Sequence, residues 1–237
     1  MGKIIILGAN GSVGKSTTDH LSKKDLDLEL ISRNSEELEI NASATKSSFK
    51  SLDISDFDSV RSYINDIDFE IDGILFAVGS ISLKPFSVTS SDDFLNVYKQ
   101  NFLNPVNFLN LSIDKLSNNS SVVFFSTVAA QSGFKQHTAI ASAKSALLGL
   151  SISLAAEYSP KIRFNCISPS LIKSKMSSFI TDSSQMTNAI AKLHPMGRIG
   201  VGNDAGSLAS FLLSSESSWI TGQNFNVDGG RSNINTR

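Results

Sequence analysis

Short apolar runs alternate with longer amphipathic stretches from one end of the 237-residue chain to the other. Such alternation marks βαβ units, in which a parallel sheet is covered by helices on both faces. The apolar runs predict strands over 3–7, 28–32, 49–52, 73–77, 121–126, 162–167 and 224–227. The stretches between them predict helices over 13–22, 57–65, 92–116, 138–158 and 204–213. Ser91 and Asn203 read as N-caps, and Pro160 follows a helix that has just ended. Pro105 falls inside the third helix, where it removes one hydrogen bond and is expected to bend it.

The pattern is that of an α/β, doubly wound sheet of about seven strands. No linker, low-complexity tract or internal repeat interrupts it, so the expectation is a single domain over 1–237. Ligands of such sheets bind at the carboxyl ends of the strands, where strand order reverses. That rule singles out Gly8, Arg33, Asp53, Gly79 and Thr127 as neighbours along one edge.

Composition narrows the function classes. A net charge of −1 offers no broad positive field for nucleic acid or anionic lipid, so neither partner is expected. The run Ile4–Leu7 is too short for a signal segment or a membrane span. The one cysteine, Cys166, lies in an apolar stretch and reads as a small buried hydrophobe; without an intrachain disulfide, a reducing, cytoplasmic setting is expected. His20, His137 and His194 are too scattered for a ligand set, and no metal site is expected. His194 is read as part of a solvated loop.

The sequence GANGSVGKST after the first strand admits two readings. A phosphate-cradling P-loop fails because Ala9 stands where its first glycine belongs. A dinucleotide turn is satisfied by Gly8, Gly11 and Gly14 with the small Ser12, which let backbone and a helix N-terminus approach a pyrophosphate. Arg33 follows the second strand, where an acidic residue would bind the ribose of NAD; its fork of donors suits the 2′-phosphate of NADP, with NAD as the other candidate.

These features resemble the short-chain dehydrogenase/reductase family over essentially the whole chain. HPMGRIGVGNDAGSLASFLLSSESSWITGQNFNVDGG is similar to the family's PxGRxG, FLxSxxSxxITGQ and VDGG sequences, and the glycine loop to its TGxxxGxG. The resemblance implies a Rossmann-type fold and cofactor contacts at Gly8, Asn10, Gly11, Ser12, Val13, Gly14, Asp53, Ile54, Ala77, Val78, Gly79, Pro169 and Ile172. It also implies a substrate lid over about 170–196, which Ser170 enters in place of the usual glycine. Met176, Phe179, Ile180 and Met186 are candidates to line an apolar pocket there, and Lys173 and Lys175 to meet an anionic substrate.

Aligning VVFFSTVAAQSGFKQHTAIASAKSALLGL with the family's catalytic segment puts Thr127 on its serine, Lys144 on its lysine and Ile140 on its tyrosine. Asn101 matches its active-site asparagine. Tyr63, Tyr98 and Tyr158 are the only tyrosines, and none precedes a lysine by four residues. Isoleucine neither donates nor accepts a proton, so His137, seven residues before Lys144, is a candidate substitute beside water. The resemblance therefore implies an NADP(H)-dependent oxidoreductase acting on a carbonyl or conjugated double bond of a small molecule, impaired by the missing phenol. The alternative is a catalytically silent, NADP-binding homologue. A homo-oligomer, tetramer or dimer, is also implied.

Overall fold

The structure, a computed structural model, describes residues 2–24 and 26–235; residues 1, 25, 236 and 237 of the expected domain lie outside that set. Seven strands form one sheet in the order β3-β2-β1-β4-β5-β6-β7, every pair parallel. They are β1 (Lys3–Leu7), β2 (Leu28–Ser32), β3 (Ser48–Ser51), β4 (Ile71–Phe76), β5 (Leu116–Phe125), β6 (Ile162–Pro169) and β7 (Asn224–Val227). Strand order reverses between β1 and β4, which places the ligand crevice of a doubly wound sheet there.

Both faces are buried, and this explains why β1 reads as an unbroken apolar run. Ile5 and Leu7 enter one core with Ile74, Phe76, Phe124 and Phe164, while Ile4 and Ile6 enter another with Leu28, Leu30, Leu75 and Val123. Each such side chain contributes about 1.5–3 kcal/mol. Phe76 stacks on Phe124, with ring centroids 5.0 Å apart. The first core is covered by α3 (Phe57–Asp66), α5 (Asn104–Ser112) and α6 (Thr138–Tyr158); the second by α1 (Ser12–Leu21), α2 (Ser35–Thr45) and α9 (Gly202–Leu213).

Helix α6 has the length and apolarity to cross a membrane. Its Ala143, Leu147, Ser151 and Ala155 are buried, Leu147 and Ala155 in the first core, so much of that apolar surface is used inside the fold.

Some expectations are revised. Helix α2 was not foreseen. The single helix expected over 92–116 is α4 (Ser91–Tyr98), a π-helical stretch at Lys99–Leu103 and α5, with Pro105 in the first turn of α5. Proline's missing N–H is harmless at a first turn, and the wider π turn absorbs the disruption that a bend was expected to carry. The caps fall at Ser90, whose side chain accepts from Asp93 N, and at Val201, whose N–H donates to Asp204 at 2.8 Å.

Helix α9 supports α1, the helix that follows the glycine turn, and is itself fixed from the sheet. Arg163 of β6 is 9% exposed and donates to Leu212 O at 3.0 Å, Ser214 O at 3.1 Å and Ser217 Oγ at 2.7 Å. A buried cation is tolerated there because the C-terminal carbonyls of α9 carry the helix's partial negative charge. Replacing Arg163 by Met is expected to lower unfolding free energy by about 1–2 kcal/mol, because its charge-assisted bonds are lost while Ser121 Oγ and Ser217 Oγ still donate to Leu212 O and Ser217 Oγ to Ser214 O. An earlier urea midpoint with unchanged slope would show it.

Candidate active site

The carboxyl edge begins with the turn after β1. Gly8 has φ 84°, and a Cβ there would overlap Ala77 O, so only glycine fits. Gly11 caps α1, with Gly11 N donating to Gly8 O at 2.9 Å and Lys15 N to Gly11 O at 2.8 Å. No side chain caps this helix and no acidic residue sits in its first turn, which leaves the N–H groups of Ser12, Val13 and Gly14 facing outward as an anion cradle. Asn10 is pinned beside it, donating to Asn34 O and accepting from Asn41 Nδ2, both at 3.0 Å.

Arg33 and Asp53 follow β2 and β3, both exposed. Asp53 accepts from Ser55 N at 2.9 Å, and that bond, aided by the Arg33 charge, holds its carboxyl below the usual range. Ile54 and Val78 pack against the first core. Ala77 N continues the sheet by donating to Leu7 O at 3.0 Å.

Beyond β4 the chain meets its most crowded point. A Cβ on Gly79 would lie 2.5 Å from Asn101 Oδ1 and 3.3 Å from Lys144 Nζ. Asn101, fully buried in the π turn, accepts from Ser80 N at 3.1 Å and donates to Val97 O at 2.9 Å and Ser80 Oγ at 3.1 Å. Lys144 is 8% exposed and donates to Phe125 O at 2.8 Å, while Ser126 Oγ donates to Lys144 O at 3.0 Å. Among the described residues it has no ion-pair partner. Desolvation pulls its ammonium down to about 8.

Thr127 ends β5's approach to the same edge and accepts from Ala129 N at 3.3 Å. Ile140 is 4% exposed and packs with Ala139, Ala143, Val97, Leu83 and Phe94, while Lys84 N donates to Gln136 O at 3.1 Å and ties down the intervening loop. The three tyrosines lie elsewhere, with Tyr63 against Phe108, Tyr98 against Phe102 and Tyr158 against Phe164. Gly79, Asn101 and Lys144 are thus brought together, with Thr127 two residues beyond the carbonyl that Lys144 bonds. His137 is held locally: its Nδ1 donates to Lys135 O at 2.7 Å and its ring meets Phe134 edge-on at 5.6 Å.

On the far side, Pro169 pairs with Val227, and Ile172 bridges to Gly200. The following segment carries α7 (Ser178–Thr181) and α8 (Ser184–Ala191), with Met176, Phe179 and Met186 about half exposed. Lys175 donates to both carboxylate oxygens of Glu37, in the first turn of α2, at 2.9 Å, which pairs it within the protein. His194 is not a solvated loop residue. It is 4% exposed, its Nδ1–H donates to Ile190 O and its Nε2 meets Ser170 Oγ, both at 2.9 Å. Arg231 also reaches Ser170 Oγ, at 3.3 Å. Sequence reading passed over Arg231; its one signal was the Gly229–Gly230 pair, both with positive φ, that turns the chain after β7.

A glycine-cradled helix N-terminus and a buried lysine share the reversal edge of a parallel sheet, an arrangement that fits an NAD(P)-dependent oxidoreductase, the class its relatives define. Residues 8–232 match the sequence model of the family described as enoyl-(acyl carrier protein) reductase, and the chain belongs to this short-chain dehydrogenase/reductase family. It is 28% identical to a tropinone reductase homolog of Arabidopsis thaliana, over 95% of this chain and 90% of that one. It is 29% identical to 3-oxoacyl-[acyl-carrier-protein] reductase of Chlamydia muridarum, over 95% and 85%. The fold matches ElxO with NADP bound (TM-score 0.87, 25% identity, 98% of this chain and 99% of that one) and a tyrosine-to-phenylalanine variant of ElxO with NADPH bound (TM-score 0.86, 25%, 98% and 99%).

The burial of Lys144 has a measurable signature. Between about 8 and the ordinary lysine value of 10.5 the unfolded chain holds a proton that the folded chain has released. Stability therefore rises with pH across that window, and below 8 the full cost of burying the charge remains. Lys144→Met is expected to lack that rise, the wild type gaining stability across the window while the variant stays level. Urea midpoints from pH 7 to 10.5 check both.

Proposed function

We propose that the protein transfers hydride between NADP(H) and a carbonyl or conjugated double bond of a small molecule, at a rate limited by the isoleucine at position 140. The observation that carries this reading is the Lys144 ammonium held beside Gly79 and Asn101 without a carboxylate partner, on the edge where the glycine turn lies. The residues present fit a dinucleotide. The free N–H groups of Ser12, Val13 and Gly14 suit its pyrophosphate, Arg33 a 2′-phosphate, Asp53 and Ile54 its adenosine, and Lys144 its ribose hydroxyls. Gly8, Asn10 and Gly11 shape the turn, and Ala77, Val78, Pro169 and Ile172 complete the walls. NAD is the second candidate cofactor. The NADP- and NADPH-bound ElxO structures support the preference.

The cofactor supplies hydride when bound. Thr127 offers a hydroxyl to polarise the substrate oxygen. Asn101, joined to Ser80 and Val97 O, fixes the π turn against Gly79 and so holds the Lys144 pocket in shape. A phenol at position 140 would hold the exchangeable proton; Ile140 leaves that step to water or to His137. Losing a positioned acid slows proton transfer about 10²- to 10⁴-fold. The resemblance also supports a homo-oligomer, tetramer or dimer, for which exposed Leu95, Leu103 and Ile152 supply apolar surface. With one buried cysteine, whose thiol burial pushes up to about 11, the reading includes a cytoplasmic setting and neither nucleic acid nor membrane as partner.

The enclosure of Ile140 by Leu83, Phe94 and Val97 favours a second reading, a silent NADP-binding homologue. Turnover of a carbonyl panel by purified protein, lost in Lys144→Ala, would exclude it. Fluorescence titration should show NADPH binding about ten-fold tighter than NADH, and Arg33→Ala should abolish that margin. Failure to bind either nucleotide would sink the oxidoreductase reading. Ile140→Tyr should raise turnover about 10²-fold or more, measured as NADPH consumption.

A further inference from the structure

A cavity of about 330 Å³ lies between the loop after β5, the end of the 170–196 segment and the C-terminal tail. Its size is that of a small-molecule site. Phe134, Leu193, Pro195 and Ile234 give it apolar walls, Asn235 and two cations, Lys192 and Arg231, complete its lining, and among the described residues no carboxylate lines it. Asp228, the acid nearest in sequence to Arg231, accepts from Gly230 N at 2.9 Å and Ser232 N at 2.8 Å; its charge is felt by Arg231 without forming an ion pair with it.

Arg231 is held in place before any ligand arrives. Its guanidinium stacks 4.5 Å over the Phe134 ring, and Nη1 donates to Ser170 Oγ at 3.3 Å. That hydroxyl is fixed by buried His194, itself anchored to Ile190 O. Among the described residues no ion pair involves Arg231, so the rest of its donor fork is available to a planar, two-oxygen anion. Ser170 follows Pro169 at the carboxyl end of β6, next to the end of β5 that leads into Thr127, so the cavity lies along the reactive edge.

We propose that this cavity binds a carboxylate on the substrate, with Arg231 gripping it, Lys192 at the rim and the apolar walls enclosing the short body that joins it to the reacting group. The substrate class is then a small oxo- or enoyl-carboxylic acid. This rests on the reductase reading for the reacting group, while the anion site itself is testable alone.

The test is calorimetric titration of the full chain with 3-phenylpropionate and with its amide, alongside NADPH. The acid is expected to bind about ten-fold tighter than the amide. Arg231→Gln should reduce the acid to the level of the amide while NADPH affinity is retained, which shows that the variant is folded. Lys192→Gln, a change at an exposed side chain, should weaken the acid about two- to three-fold. Equal affinity for acid and amide, binding of neither, or an Arg231→Gln protein that still prefers the acid would overturn the proposal. NADPH binding without acid preference removes the anion site and the substrate class and leaves the reductase reading standing. Acid preference without NADPH binding removes the reductase reading and leaves the anion site standing.

Discussion

An ammonium group enclosed by carbonyl and amide oxygens, with no carboxylate paired to it among the described residues, is the constraint on which the rest of this site depends. Lys144 has Phe125 O as its acceptor, and Gly79 and Asn101 close against it. Desolvation of that charge opposes folding, and the packing of α6 against the sheet has to outweigh it. A polar ligand meeting the ammonium recovers part of the cost, so instability in the protein alone becomes affinity at the strand edge.

The same helix shows how structure and chemistry are shared. Leu147 and Ala155 of α6 lie in the core under β5 and β6, whereas Ile140 and Ala143 join Val97 in a separate apolar cluster beside the site. Over the whole chain the charge is −1, yet Arg33, Lys144 and Arg231 all belong to the segments that converge at or beside the carboxyl edge.

Much of the fold was legible because burial on both faces leaves an unmistakable run. The bounds of β1, β2, β7 and α6 agree with the sequence reading. Helix α2 was hidden because only Leu38, Asn41 and Ala42 of its eleven residues are buried, too few to set a period; its signal was the Asn34 cap, which accepts from Glu37 N. The glycine turn was readable from spacing, since local backbone geometry defines it, and the Lys144 segment from its resemblance to the family's catalytic stretch. Partnerships between distant segments were not. Lys175 found Glu37, 138 residues away, and His194 became buried through Ser170. The convergence of Lys192 and Arg231 on one cavity follows from the path of the tail after β7, which no local period records.

The π turn at Lys99–Leu103 sets a different kind of limit. A π turn accommodates one residue more than a regular helical turn, and here that extra residue helps aim Asn101 at Gly79. Deleting any one residue of the turn would restore a regular helix and rotate one flank against the other by about 100°. Either Asn101 would leave Ser80, or the buried Phe108 and Leu109 of α5 would leave the core. Outside Asn101, this part of the chain therefore tolerates a change of side chain more readily than a change of length.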